Sequence, residues 1–200
     1  MPKLILIRHC TPKTPKGDIF LGQVDVPLSA AGVKEAKHLK AWLDKEKIDA
    51  CFTSTLLRAS TTAEIITEGH KVKTIPCDEL KECSFGVIEG LTYQEIEKRY
   101  PKVAKGLADG TLATFPGGEN LKQLNERVKL FLKRLDVLKP GDTALIVTHG
   151  GPLRLLVCYL LGIDAKHWQQ IRIDRASLSI VETYPQMAYL TLLNDTSHLK

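Results

Sequence analysis

The sequence predicts an α/β fold, a three-layer sandwich on a mostly parallel central sheet, from three observations. Short apolar runs alternate with segments of helical period along all 200 residues. Two of those runs, Leu4-Ile5-Leu6-Ile7 and Ala144-Leu145-Ile146-Val147, contain no polar residue, as strands buried on both faces do. Glycine and proline separate the segments, and no internal repeat or linker divides them, so a single domain over residues 1–200 is expected.

Each element has a local cause. Lys3 to Ile7 reads as a buried strand, and the Pro-, Thr-, Lys- and Gly-rich stretch from Cys10 to Pro27 reads as a long functional loop. Ser29 can cap a helix in which Val33, Ala36, Leu39 and Leu43 recur at helical spacing. Ile48 to Thr53 is a second strand, Leu56 to Thr67 a helix ending near Gly69, and Lys71 to Pro76 a third strand. Its six glycines and two prolines break Asp78 to Gly118 into an excursion with one or two short helices. The strongest helical stripe, Leu121, Leu124, Val128, Phe131, Leu132 and Leu135, predicts a helix from about Asn120 to Leu138. Pro140-Gly141-Asp142 turns the chain into a central strand, Thr143 to Thr148. A helix from Gly150 to Leu161 follows, closed by Gly162, and then strands Ser177 to Thr183 and Met187 to Leu193.

Composition narrows the function classes. With 44% hydrophobic and 26% charged residues the chain is neither disordered nor fibrous. The net charge is +5, but no block of five like charges occurs, and Lys34 to Lys47 interleaves lysine with Glu35, Asp44 and Glu46. That pattern is a solvated helix face, so no nucleic-acid partner is expected. No stretch approaches the roughly 18 apolar residues of a membrane span, and Arg8 ends the first apolar run too early for a signal peptide, so no membrane partner is expected. Five cysteines, an odd number without a C-x-x-C pair, suit a reducing cytoplasm.

The chemistry gathers where two strands end in histidine: Leu6-Ile7-Arg8-His9 and Val147-Thr148-His149-Gly150-Gly151. Ligands in open α/β sheets bind beyond the carboxyl ends of strands, and Gly150-Gly151 opens a helix whose free N–H groups suit an anion. Arg58 stands at another strand end, and its value depends on strand two lying beside strand one, as the short connection suggests. Glu79, Glu82 and Glu89 share one Gly-containing loop, and nothing local chooses among them.

Along nearly its whole length the chain resembles the histidine phosphatase superfamily, the phosphoglycerate-mutase-like fold. The resemblance rests on Arg8-His9, on Gly22-Gln23 through Ser29, and on Ser54-Thr55-Leu56-Leu57-Arg58-Ala59. Leu80 to Gly86 with Glu89-Gly90, Phe115-Pro116-Gly117-Gly118-Glu119, and Val147 to Gly151 extend it in the same order. It implies a phosphatase for small phosphate monoesters that works through a phosphohistidine at His9. Arg8, Arg58, His149 and the Gly150 amide would hold the phosphate, and Glu82 would be the proton donor. No metal or other cofactor is implied, and inorganic phosphate is the expected product. Cys10 stands where the family usually has glycine. His9-Cys10-Thr11-Pro12 with Gly22-Gln23, and the closing Leu193 to Leu199, resemble the α-ribazole phosphatase group and related phosphoserine phosphatases. Sugar phosphates and phosphoglycerate mutase chemistry are the alternatives, and the chain is short for a mutase insertion. Gln23 and His198 are candidate substrate contacts, the latter if the tail folds over the crevice. A homodimer is left open.

Two rivals are distinguishable. His9-Cys10 begins something like the signature of cysteine phosphatases, but the sixth residue after Cys10 is Lys16 rather than the bidentate arginine. A non-catalytic phosphate binder would need a degraded site, yet all five candidate polar residues are present.

Overall fold

In the computed structural model, which describes residues 2–15, 17–112 and 114–200, strands and helices alternate as expected. The order is β1 (Lys3–Arg8), α1 (Ala30–Leu43), β2 (Ala50–Ser54), α2 (Leu57–Thr67) and β3 (Thr74–Cys77), then α3 (Tyr93–Arg99), α4 (Pro101–Asp109) and α5 (Leu121–Arg134). The chain closes with β4 (Thr143–Thr148), α6 (Gly150–Leu161), β5 (Leu178–Thr183) and β6 (Ala188–Asp195). The strands form one six-stranded sheet in the order β3-β2-β4-β1-β5-β6. β1 to β4 run parallel, while β5 pairs antiparallel with β1, and β6 antiparallel with β5.

One expectation is corrected here. β2 does not lie beside β1, because β4 is inserted between them, pairing with β1 from Lys3–Thr143 to Arg8–Thr148 and with β2 on its other edge. The chain crosses from β1 to β2 through α1, skipping one position, and the wholly buried β4 later fills the gap. The two histidine-ending strands are therefore immediate neighbours.

Side chains alternating along the strands build two core layers. Ile5, Ile7, Leu145 and Val147 pack with Ala36, Leu39 and Leu43 of α1 and Ala59, Ala63 and Ile66 of α2. Leu4, Leu6, Phe52 and Ile146 face the other way, onto Leu124, Val128 and Phe131 of α5 and Leu153 to Val157 of α6. Burying each such side chain contributes about 1.5–3 kcal/mol before the entropy of ordering is subtracted. Capping sets the helix starts: Ser29 Oγ accepts from the Gly32 amide at 3.0 Å, and Asn120 and Gln123 form a reciprocal capping box. Helix α5 ends at Arg134 and tightens into a 3₁₀ turn over Leu135–Val137, shorter than the apolar stripe suggested. Another 3₁₀ segment, Ala165–Gln170, has no periodic signature and was not expected. The glycine-broken excursion carries α3 and α4 over a small core of Ile88, Ile96, Val103 and Ala104.

Candidate active site

The carboxyl ends of β1 and β4 open into a cavity of about 370 Å³, and Arg8, His9, Arg58, Glu82 and Gly150 line it. Because Arg8 and Thr148 are register partners, the residues that follow them emerge side by side. The His9 and His149 rings lie 5.0 Å apart, centroid to centroid.

His9 is 4% exposed. Its Nδ1 lies 2.8 Å from the Cys10 carbonyl oxygen, which can only accept, so Nδ1 carries the hydrogen and Nε2 keeps its lone pair. Burial, then the charges of Arg58 and Arg8, push its pKa well below 6.5, so the imidazole is neutral at physiological pH. Its support comes from across the sheet: the His9 amide donates to Thr148 O, and the amide of Ala176 donates to His9 O. Ala176 adopts φ 55°, a left-handed conformation uncommon for a residue with a Cβ, where the 173–177 segment docks under the histidine. Arg8 Nη1 donates to Ile173 O at 2.7 Å in the same segment.

Arg58, 1% exposed, enters from the first turn of α2. Its Nη2 and Nη1 donate to Gly22 O at 2.7 Å and Val24 O at 2.8 Å, which anchors the long loop after β1. His149 is fully buried, with Nε2 2.8 Å from Ser54 Oγ at the end of β2. Burial, then His9, Arg58 and Arg8, depress its pKa well below 6.5. Arg8 Nε, Arg58 Nε and His149 Nδ1 are all buried without a hydrogen-bond partner among the described residues. Unpaired buried polar groups are costly, and two of these belong to residues that line the cavity, Arg8 and Arg58, while His149 does not line it and stands behind the His9 ring.

The three loop carboxylates separate by environment. Glu79 pairs with Arg134 at 2.7 Å, and Glu89 Oε1 accepts from the Gln23 and Phe85 amides. Glu82 alone of the three lines the cavity, its Oε1 accepting from Gly151 N at 3.1 Å and Cys83 N at 2.9 Å. It sits at the N-terminus of α6, against the Gly151 amide.

Gln23 does not line the cavity; its Nε2 donates to Glu82 O at 3.1 Å, behind the acid. His198 lies elsewhere, in a surface hollow with His38 and Trp42, because the 3₁₀ turn Ser197–Leu199 packs on α1 and the tail does not cover the crevice. Cys10 is fully buried, and burial pushes its thiol up to about 12, which leaves no thiolate at neutral pH. Lys16, the position compared with a cysteine-phosphatase arginine, lies outside the described residues. No group of three or more His, Cys, Asp or Glu among the described residues is arranged to hold a metal ion. No helix there is long and apolar enough to cross a membrane.

Sequence reasoning missed the rest of the wall. Phe20, Phe85, Tyr93 and Trp168 face the cavity from four separate segments, joined by Arg154 and Arg175. Arg175 pairs with Asp18 across the mouth at 2.9 Å. These residues carry no shared local motif. Ser54 was visible only as part of the Arg58 motif, without a role.

Known proteins resemble the chain in sequence and in fold. The description "Histidine phosphatase superfamily (branch 1)" matches residues 4–196. Phosphoserine phosphatase 1 of Hydrogenobacter thermophilus is 32% identical over 200 residues, covering 100% of this chain and 95% of its own. The adenosylcobalamin/alpha-ribazole phosphatase of Salmonella typhimurium is 30% identical, covering 96% of each. The crystal structure of the alpha-ribazole phosphatase from Shigella flexneri superposes with a TM-score of 0.88 at 27% identity, covering 96% of each chain. With its strand-end histidines and buried arginines, the chain belongs to branch 1 of the histidine phosphatase superfamily and is a phosphoric monoester hydrolase.

Proposed function

We propose that His9 Nε2 attacks the phosphorus of a small monoester, forming a phosphohistidine that water then hydrolyses. The observation that carries this reading is the neutral, tautomer-fixed His9 beside three unpartnered buried nitrogens on Arg8, Arg58 and His149. Ser54 Oγ already accepts from Leu56 N, so its own hydrogen is free to turn toward His149 Nε2. In that arrangement His149 Nδ1 carries a hydrogen for a phosphate oxygen. Arg8, Arg58, His149 and the Gly150 amide thus neutralise charge that spreads over the transferring oxygens. Glu82 gives its proton to the leaving alkoxide, then takes one from the attacking water. A split into two displacements lowers each barrier.

For the leaving group, the four aromatic side chains around the cavity favour a ring-bearing alcohol, as in α-ribazole 5′-phosphate. A second reading, phosphoserine, is favoured by Arg154 and Arg175 on the same wall, which suit a carboxylate. Both readings are tested by ranking kcat/KM for purified protein over a panel of phosphate monoesters. A ring-bearing ester is expected first, and phosphoserine leading it by tenfold or more overturns the preference. The mechanism predicts an acid-labile, alkali-stable phosphoenzyme that His9→Ala abolishes with activity. A His9→Ala protein that keeps full turnover overturns it.

A further inference from the structure

Resting on the reading of Glu82 as general acid, we propose that Arg127, through its pairing with Glu119, is a positioning residue that aims the Glu82 carboxyl at the leaving oxygen. Glu82 sits in a stretch, residues 81–85, that belongs to no helix or strand and so has no ladder to hold its backbone. Arg127 supplies one from α5. Its Nη1 donates to Glu79 O and Lys81 O, both at 2.8 Å, and its Nη2 donates to Glu82 O at 3.2 Å. Nε and Nη2 grip the Glu119 carboxylate at 2.9 and 2.8 Å. All five N–H groups of the guanidinium are thereby engaged, a geometry that lysine does not reproduce.

Glu119 completes the staple. Its Oε2 accepts from the Ser84 amide at 2.9 Å, and its own amide donates to Ser84 O. Loop residues 79, 81, 82 and 84 are therefore clamped to one arginine–glutamate pair, at side chains only 18% and 17% exposed. The platform is rigid, because Leu124, Val128 and Phe131 of the same helix are buried in the sheet's core. Arg127 itself does not line the cavity, so its influence on the reaction passes through Glu82.

A purely structural staple and a positioning staple differ in leaving-group dependence. An alkyl phosphate expels a poor leaving group that needs Glu82's proton, whereas 2,4-dinitrophenyl phosphate expels an anion that needs none. The experiment measures single-turnover phosphorylation of the full chain with both esters, for wild type, Arg127→Lys, Glu119→Gln and Glu82→Gln. A misplaced acid is expected to cost Arg127→Lys about 100-fold with the alkyl ester, and leave the dinitrophenyl ester unchanged. Glu82→Gln is expected to show the same selectivity, at about 10²–10⁴-fold. Equal losses on both esters, or no loss on either, overturn the proposal for Arg127. If Glu82→Gln shows no selectivity, the acid assignment itself falls, which is a separate outcome. Should Arg127→Lys not fold, Glu119→Gln reads the same selectivity with the guanidinium's carbonyl bonds retained.

Discussion

At the residue scale, the site is made of side chains whose second bond decides the first. Cys10 O holds His9 Nδ1 and leaves Nε2 its lone pair, as the proposed nucleophile requires, and Arg58 reaches the cavity with its guanidinium held by two loop carbonyls. Gly151 shows the same economy of space. A Cβ there would meet Glu82 Oε1 at 2.5 Å, closer than any side chain tolerates, while its amide donates to that oxygen. Gly151→Ala is therefore expected to fold normally but to push the carboxylate aside. Steady-state kinetics should show kcat on an alkyl ester falling by about 10–100-fold with KM little changed. Glu82 was one of three carboxylates indistinguishable by position; the partners of Glu79 and Glu89 set those two apart from the proposed acid.

At the element scale, the nearly continuous apolar run of β4 announces a central strand, but not which strands flank it. Its insertion between β1 and β2 brings Ser54, at the end of β2, to His149, and brings His149 to His9. Helix α5 was the most legible helix, through its apolar stripe, and its energetic weight follows from the same pattern. Phe131 is fully buried and meets Phe52 edge to face at 5.6 Å between centroids. Phe131→Ala is expected to lower unfolding free energy by about 3–5 kcal/mol, read from denaturant midpoints. The short strands β2 and β3 begin two or three residues later than their apolar character suggested, because pairing with neighbours rather than residue preference sets strand ends.

For the whole molecule, the two buried histidines couple stability to pH. Both have folded-state pKa values well below the 6.5 of the unfolded chain, so between those values the unfolded state binds more protons. Their contribution is full above pH 6.5 and is lost as pH falls through the folded pKa values. Urea midpoints measured from pH 8 to pH 5 should fall below about 6.5, and His149→Asn should flatten that decline relative to its own value at pH 8. Local pattern in the sequence determined the α/β class, the succession of elements, and the placing of both histidines at strand ends. The resemblance of short motifs added Arg58 and Glu82. Tertiary structure alone decided the strand order, the convergence of the aromatic wall, and the grip of Arg127 on carbonyls 45 to 48 residues away. The reason is physical: periodicity and capping are set by neighbours within a turn or two of chain. Strand order and side-chain convergence arise from packing between distant segments, which leaves no local trace.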